Sequence, residues 1–272
     1  MAKKEARKRI FKKILENIRS LKIQGANDVA KAALIAYELF PTQNTVKKLL
    51  ASRPTEPLMK NILSRAKNGS YKEILFQFNS FQDKINENIS GIIENGDIIF
   101  THCHSTSVTK ALIYAKKKGK RFIVYTTETR PLFQGRRTAN DLVRNEIETC
   151  MFVDSSAMIA LNGEQGMKKP TKMIIGSDAL TKDGVINKVG SGMFAKISHE
   201  NRIPVYVVAN SWKFTNEKLK IEQRDRKEVW DNAPRQLKIR NFAFEEIEKR
   251  YITKIVSELG ILNYEEFLRK VS

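Results

Sequence analysis

Reactive and polar side chains follow five short apolar segments of this sequence, and their types are those that carry acid-base chemistry. The groups lie at Thr101–Ser105, Thr127–Pro131, Asp154–Ser156, Gly176–Asp178 and Asn210–Lys213. Together they supply a thiol, several carboxylates, an arginine, a lysine and a set of amides and hydroxyls. In an open parallel sheet, ligands bind beyond the carboxyl ends of the strands. If the apolar segments are parallel strands, these groups meet at one edge and form a site.

The two cysteines have different surroundings in the sequence. Cys103 stands between two histidines just before a predicted helix, and a helix N-terminus favours the thiolate. Its position alone is as consistent with a structural role as with a catalytic one. Cys150 lies within an apolar segment and is interpreted as a core residue. Two cysteines are too few for a disulfide framework and are typical of a reducing cytosol, which predicts a cytoplasmic protein.

Two aspartates are the acid-base candidates. Asp178 follows the apolar segment Met173–Ile175 at the expected mouth of the crevice. It could cap a turn, but its position suits a general acid or base. Asp154 precedes a predicted helix, and an N-cap role is favoured over a substrate contact. The histidines beside Cys103 lack a second cysteine pair, so no zinc site is expected.

Residues 1–95 have the pattern of a helical domain. Apolar residues recur at helical spacing in Ile10–Leu21 and Val29–Leu39. Ser70 is a plausible N-cap for a long helix over Tyr71–Glu94, which the following Asn-Gly pair would end.

From residue 96 onward, strand-sized and helix-sized segments alternate. Predicted strands are Asp97–Phe100, Phe122–Tyr125, Cys150–Val153, Met173–Ile175 and Val205–Val208. Helices are predicted over Ser107–Lys118, Thr138–Asn145 and Met193–Glu200, and a small hairpin over Thr181–Asn187. The alternation predicts an α/β fold in which the helical domain (1–95) precedes a Rossmann-like, doubly wound parallel sheet (96–272).

The net charge of +19 indicates an anionic partner or a lysine-rich solvated surface. Nine basic residues lie in Met1–Lys22, on a predicted amphipathic helix, but no aromatic interleaving accompanies them. No apolar segment is long enough to span a membrane. The glycines form neither G-x-G-x-x-G nor a P-loop, which disfavours a dinucleotide or P-loop nucleotide site.

At the predicted strand ends the sequence resembles a known family. The segments that carry the resemblance are Thr101-His102-Cys103, Thr127–Pro131 with Gln134-Gly135, Gly176-Ser177-Asp178, Asn187-Lys188 with Gly190, and Trp212-Lys213-Phe214. The family joins the regulatory subunits of translation initiation factor 2B with two enzymes, methylthioribose-1-phosphate isomerase and the archaeal ribose-1,5-bisphosphate isomerase. The enzymes carry a cysteine and an aspartate where this chain has Cys103 and Asp178. The compact length and Asn187-Lys188 are most similar to the ribose-1,5-bisphosphate isomerases.

The resemblance implies an aldose–ketose isomerase that converts α-D-ribose 1,5-bisphosphate to D-ribulose 1,5-bisphosphate in AMP salvage, without cofactor or metal. Asp178 would protonate the ring oxygen, and Cys103, as a thiolate favoured by cations and a helix dipole, would accept the C2 proton. Burial would raise the pKa of Asp178. The implied substrate-binding residues are Gln24, Gly25, Ala26, Arg53, Ser105, Thr106, Ser107, Arg130, Gln134, Asn187, Lys188 and Lys213. A homo-oligomer, either a dimer or a hexamer, is implied as well.

Two alternatives stay open. Gln24 replaces the arginine that the enzymes carry in the N-terminal loop, and this removes a bidentate phosphate donor. Together with the basic first helix, it is compatible with a non-catalytic subunit that binds an initiation factor or nucleic acid. The second alternative is methylthioribose-1-phosphate isomerase. A substrate panel separates the two enzymes, and the non-catalytic alternative predicts no turnover.

Overall fold

Five helices form the N-terminal part of the chain. The computed structural model describes residues 2–54 and 56–271. The helices are α1 (Ala2–Arg19), α2 (Ala26–Leu39), α3 (Gln43–Leu50), α4 (Pro57–Ala66) and α5 (Tyr71–Ile92). Small and branched apolar residues of α2 and α4 pack into one core with the N-terminal half of α5. No helix among the described residues is long and apolar enough to cross a membrane.

Strands and helices alternate in the rest of the chain. The strands are β1 (Asp97–Thr101), β2 (Phe122–Thr127), β3 (Glu148–Phe152), β4 (Lys172–Ile175), β5 (Ala179–Leu180), β6 (Gly184–Lys188), β7 (Val205–Val208), β8 (Phe244–Glu248), β9 (Lys254–Ser257) and β10 (Gly260–Leu262). The helices are α6 (Thr106–Lys117), α7 (Gln134–Val143), α8 (Ala157–Asn162), α9 (Ser191–Glu200) and α10 (Tyr264–Val271).

Seven strands form the central sheet in the order β10-β9-β7-β4-β1-β2-β3. All neighbours are parallel except β10 and β9. From β1 the chain adds β2 and β3 on one side, and then β4, β7 and β9 on the other. The strand order therefore reverses between β1 and β4, and this is the point where doubly wound sheets bind ligands. The predicted α/β, Rossmann-like fold is confirmed.

Alternate residues of each strand enter two separate cores. On β1, Ile98 and Phe100 pack in the core that holds α8, α9 and α10. Ile99 packs on the opposite face with α6 and α7. Side chains of successive strand residues point to opposite faces, so helices cover both sides of the sheet. This three-layer arrangement excludes water from the sheet and leaves the strand ends as its accessible edge.

Helix α5 packs in the core of the helical part and also in the core that α6 and α7 form on one face of the sheet. It therefore joins the helical part to the sheet. Its N-terminal half contributes Phe78 and Phe81 to the helical core, where Trp212 from the α/β part packs against them at ring-centroid distances of 6.0 and 4.9 Å. Ile85 and Ile89, nearer its C-terminus, pack beneath the sheet. The domain boundary at residue 95 stays a prediction. The division between the helical core and the sheet core falls within α5, between Phe81 and Ile85.

Several predicted helix boundaries are wrong. Helix α6 is Thr106–Lys117 instead of Ser107–Lys118, and α9 begins at Ser191 instead of Met193. Helix α5 ends at Ile92 instead of Glu94, because the Glu94 amide donates to the Asp97 carboxylate at 2.6 Å. Helix α7 begins at Gln134 instead of Thr138, directly after Phe133 in the left-handed region (φ 56°). The strand predicted over Cys150–Val153 lies at Glu148–Phe152. The predicted hairpin is present as β5 and β6, and β8 extends it to a second, three-stranded sheet.

Candidate active site

Cys103 lies just beyond β1 and is held by the neighbouring loops. Its backbone is in the left-handed region (φ 66°), as is that of Thr129 (φ 64°). Such a conformation costs of the order of 1–3 kcal/mol in a non-glycine residue and persists where the surroundings enforce it. The Cys103 amide donates to Thr129 Oγ1 at 3.0 Å, and its carbonyl accepts from Thr138 Oγ1 at 2.9 Å. Two loops therefore fix the position of the thiol.

The carboxylate of Asp154 ties down one of these loops. Oδ1 accepts from the Thr129 amide at 2.9 Å, and Oδ2 accepts from the Arg130 amide at 2.6 Å. The prediction that Asp154 caps its own following helix is wrong. Its 3₁₀ turn follows Val153, and the N-cap of α8 is Ser156. Asp154 lies two residues after β3, the neighbour of β2, and its side chain reaches across to the loop that contacts Cys103.

Gly135 brings the N-terminus of α7 against the end of β2. A Cβ atom at this position would lie 1.7 Å from the carbonyl oxygen of Thr127. Only glycine fits such a close backbone approach. The close packing places Gln134, the first residue of α7, at the wall of the pocket.

The two histidines beside Cys103 are neutral. Burial lowers the pKa of His102 to about 4 and that of His104 to about 4. His102 is held between the Thr127 hydroxyl (2.5 Å) and the Val189 carbonyl (3.0 Å). His104 Nδ1 lies 3.0 Å from Thr138 Oγ1, while its buried Nε2 has no partner among the described residues. His104 is one of the residues that line the pocket.

Asp178 lies between β4 and β5, on the other side of the strand-order reversal. Burial raises the pKa of its carboxyl group, as expected. Four cations oppose that rise, in decreasing order Lys213, Arg53, Arg224 and Lys188. Lys213 donates to the Ser177 carbonyl, so its amine is fixed beside the aspartate. Burial therefore shifts the Asp178 carboxyl group toward its proton-donating form, while the surrounding cations oppose that shift.

The Cys103 thiol is neutral in the free pocket. Burial raises its pKa to about 12, and the nearby Lys188 opposes the rise without cancelling it. The expectation that cations and the helix dipole make Cys103 a thiolate is therefore wrong for the unliganded site. The reason is that desolvation of the sulfur outweighs the attraction of one buried ammonium group. A thiolate at this position forms only when further positive charge or a base approaches.

Three helices direct their N-termini toward the pocket. Helix α2 begins after Gly25 (φ 81°) with no side-chain cap, α6 begins after Ser105, and α7 begins at Gln134. All of these residues line the pocket. Helix N-termini present free amide groups and the positive end of the helix dipole, and they bind phosphate groups. The convergence favours an anionic ligand without requiring a lysine or arginine at every contact.

Polar side chains also link the helical part to the sheet part at this pocket. Asn27 Nδ2 donates to Ser107 Oγ at 2.9 Å, and Asn210 Nδ2 donates to Asn27 Oδ1 at 3.2 Å. These bonds hold the first turn of α2 against α6 and the end of β7. Ser107 is buried in this contact.

Two arginines of the pocket carry carboxylate partners and unused donors. Arg53 forms a buried ion pair with Glu56 (2.6 Å), and Arg224 Nε lies 3.2 Å from Glu222. The Arg224 side chain is only 9% exposed. Its Nη1 and Nε atoms have no hydrogen-bond partner in the described part of the chain, nor does Arg53 Nε. Buried guanidinium donors without partners on a pocket wall are positioned to bind a phosphate.

The pocket unites twelve of the fourteen predicted site residues. Those that line it are Gln24, Gly25, Ala26, Arg53, Cys103, Ser105, Thr106, Gln134, Asp178, Asn187, Lys188 and Lys213. Ser107 and Arg130 are outside the lining. Ser107 accepts from Asn27, one layer behind the wall, because it lies deeper in α6. Arg130 is exposed because its guanidinium reaches outward to the Val229 carbonyl at 3.1 Å.

Nine further residues line the pocket and were not predicted as site residues: Asn27, His102, His104, Arg137, Gly176, Ser177, Arg224, Ala243 and Phe244. Arg137 lies one turn after Gln134 on α7, so the helical spacing of three residues could have identified it. Arg224 and Phe244 come from the C-terminal segments 218–243 and β8, where no periodic pattern marks an element. Among residues 2–54 and 56–271, no three His, Cys, Asp or Glu side chains are grouped to hold a metal ion.

A helical domain followed by a doubly wound sheet, with a thiol and an acid in a polar pocket at the strand-order reversal, defines the class of this protein. The profile of the Initiation factor 2 subunit family matches residues 23–264, so the chain belongs to this family. The family predicted from the sequence is confirmed.

Named relatives include both enzymes and translation factors. Ribose 1,5-bisphosphate isomerase of Methanocaldococcus jannaschii is 29% identical over 93% of this chain and 91% of its own length. A putative translation initiation factor eIF-2B subunit 2-like protein of Pyrococcus furiosus is 30% identical over 92% and 95%. The crystal structure of the Pyrococcus horikoshii OT3 translation initiation factor eIF-2B has a TM-score of 0.84 at 25% identity, covering 96% of this chain and 98% of that one. The isomerases support the prediction of an isomerase enzyme.

Proposed function

We propose that this protein is a sugar-phosphate isomerase that converts α-D-ribose 1,5-bisphosphate to D-ribulose 1,5-bisphosphate in AMP salvage. The observation that carries the proposal is the meeting of Cys103 and Asp178 in one pocket, from the two strands at which the sheet order reverses. Their surroundings add support, because helix N-termini and unpaired arginine donors suit phosphate groups. The similarity to named isomerases over nine-tenths of the chain agrees with this chemistry.

The first step opens the sugar ring. The 1-phosphate blocks the anomeric oxygen, so the ring cannot open through a free hemiacetal. Asp178, as a carboxylic acid, gives its proton to the ring oxygen while the bond from that oxygen to C1 breaks. The Cys103 thiolate takes the proton from C2, and a C1–C2 double bond forms. Burial raises the pKa of Asp178, which favours the protonated form that this role needs.

The second step completes the shift of hydrogen. The Cys103 thiol returns its proton to C1, and the hydroxyl proton on C2 passes to the Asp178 carboxylate, which leaves a ketone at C2. Both groups return to their starting protonation states, so no cofactor is consumed. Because the free thiol is neutral, the bound substrate or a neighbouring base must draw off its proton before the first step. Lys188 is the cation beside the sulfur that stabilises the resulting thiolate.

The substrate would span the pocket between two phosphate subsites. Gly25, Ala26, Arg53 and Gln134 would hold one phosphate, and Ser105 and Lys213 the other. Asn187 and Lys188 would contact the sugar hydroxyls. In the free pocket Asn187 Nδ2 donates to Ser191 Oγ at 2.9 Å, which orients the amide. A homodimer or a hexamer stays the expected assembly.

A non-catalytic function is the second candidate. Gln24 at the start of α2 favours it, since a glutamine binds phosphate more weakly than the arginine of the related enzymes. The relative named as a putative initiation factor subunit is similar over the same share of the chain. In that case the pocket would bind a sugar phosphate or stay empty, and the protein would bind an initiation factor or nucleic acid.

A substrate panel tests the proposal. Purified protein is incubated with ribose 1,5-bisphosphate, methylthioribose 1-phosphate and ribose 5-phosphate, and ketose formation is followed by ¹³C NMR. We expect turnover of the bisphosphate alone. Turnover of methylthioribose 1-phosphate would identify the protein as methylthioribose-1-phosphate isomerase. No turnover of any of the three substrates would favour the non-catalytic candidate.

A further inference from the structure

Glu56 is a buried carboxylate that the proposed reaction does not use. It is the N-cap residue of α4, and its side chain is 1% exposed. The side chain makes no capping bond to its own helix. Oε1 accepts from Arg53 Nη2 at 2.6 Å, and Oε2 is buried without a hydrogen-bond partner in the described residues. Burying a carboxylate with only one of its oxygens paired carries a desolvation cost, which makes the ionised form of Glu56 less stable.

The partner of Glu56 is an arginine of the pocket wall. Arg53 lines the pocket and is itself 5% exposed. Its Nη2 is committed to Glu56, and its Nε lies 4.0 Å from Glu222 Oε2. A phosphate that binds Arg53 therefore meets a guanidinium whose charge is already compensated. The Nη2 group that Glu56 occupies belongs to both bidentate edges of the guanidinium, so a phosphate bound at either edge shares it with the carboxylate.

Charged groups from several elements face Glu56. Asp178 after β4 and Glu222 disfavour its ionised form, and Arg53 and Lys213 favour it. Burial is the largest influence and, with the two carboxylates, raises the pKa of Glu56 to about 7. At neutral pH both protonation states are populated, so a small change in nearby charge moves the carboxyl group from one to the other.

We propose that Glu56 and the anionic group of the ligand compete for Arg53, so that Glu56 takes up a proton when the anion binds. The arriving dianion adds negative charge beside a buried carboxylate, and protonation of Glu56 removes the repulsion and frees the Arg53 donors. The proton comes from solvent, and no other bond is formed or broken. The ligand class, a phosphorylated sugar, rests on the proposed function. The competition makes anion binding weaker as the pH rises through neutrality.

Calorimetry with sulfate tests this coupling separately from turnover. Sulfate stays a dianion across pH 6–8.5, so any proton taken up when sulfate binds is bound by the protein. Titration of the wild-type protein at pH 7.5, in buffers of different ionisation enthalpy and at constant ionic strength, gives the number of protons bound. We expect uptake of about 0.5–1 proton per sulfate. We also expect affinity to fall about fivefold between pH 7 and pH 8, in proportion to the protonated fraction of Glu56.

Variants identify the group. Glu56→Gln keeps the volume and an acceptor for Arg53 but cannot ionise. We expect no proton uptake in this variant, affinity equal to wild type at pH 6, and affinity about tenfold higher than wild type at pH 8. A merely structural role of Glu56 would lower affinity at every pH. Glu222→Gln removes the same charge from a side chain that is 26% exposed and should keep the proton uptake. Glu217→Gln, in an exposed ion pair with Lys60, is the surface control.

The outcomes separate the two proposals. Absence of sulfate binding in the wild-type protein, binding without proton uptake, or uptake that persists in Glu56→Gln would each overturn the coupling. None of these results depends on ketose formation. An enzyme that turns over ribose 1,5-bisphosphate without proton uptake on sulfate binding keeps its proposed function and loses only this inference.

Discussion

The two walls of the pocket are built in different ways. The sheet wall consists of Cys103 and Asp178, which follow strands, and Lys188, the last residue of β6. Hydrogen bonds from neighbouring loops hold Cys103 in its positive-φ conformation. The helical wall consists of residues 24–27 and Arg53. Its contacts are a helix N-terminus and a charged pair with Glu56.

The difference separates catalysis from binding. Groups that move protons must be held within fractions of an ångström, and residues supported by a rigid sheet meet this requirement. Charge on the helical wall sets how tightly an anion binds and at which pH. We therefore expect changes in the sheet wall to lower kcat and changes in the helical wall to alter KM.

The largest effect is expected from the sheet wall. Cys103→Ser and Asp178→Asn should each lower kcat on ribose 1,5-bisphosphate by at least about 10²–10⁴-fold, because each removes a proton-transfer group. Ketose formation is measured by ¹³C NMR, and thermal unfolding verifies the fold. The matched controls are Cys150→Ser, at a half-buried position against the core, and Asp183→Asn, at an exposed turn. Full activity of either pocket variant would refute the mechanism.

The sequence was sufficient to place the sheet wall. Apolar strands followed by polar groups predict a common edge, and topology then brings Cys103 and Asp178 together whatever the details of the loops. The sequence was not sufficient for protonation states. The pKa of Cys103 depends on how completely the sulfur is desolvated, and this is decided by packing among elements far apart in the chain.

The interaction partners of several polar side chains also could not be predicted from the sequence. Asp154 looks like a helix cap in the sequence, yet it binds the amides of a neighbouring loop. Glu56 follows Arg53 by three residues, but the sequence does not show that both are buried. Arg224 comes from a segment without regular periodicity. In each case, the partner is set by tertiary contacts and not by local spacing.

An intermediate effect is expected from the helical wall. Gln24→Arg adds a guanidinium at the start of α2, and a hydrogen bond to a charged group contributes about 1.5–3 kcal/mol. We expect KM for ribose 1,5-bisphosphate to fall by about tenfold or more, with kcat within about threefold of wild type. Steady-state kinetics at constant ionic strength measure both. Gln77→Arg makes the same change at an exposed position on α5 and should leave KM unchanged. A loss of kcat in Gln24→Arg would show that the two walls are not separable.

The smallest effect is expected at Arg130, which was predicted as a substrate-binding residue and lies outside the pocket lining. Its guanidinium donates to the Val229 carbonyl at 3.1 Å and lies 5.0 Å from the Phe133 ring centroid. Arg130→Ala should change KM by less than about twofold, because exposed charges contribute little to a ligand they do not contact. Arg137→Ala, on the pocket lining, is the matched comparison and should raise KM by about tenfold. If Arg130→Ala raised KM as strongly as Arg137→Ala, the loop after β2 would have to fold over the bound substrate.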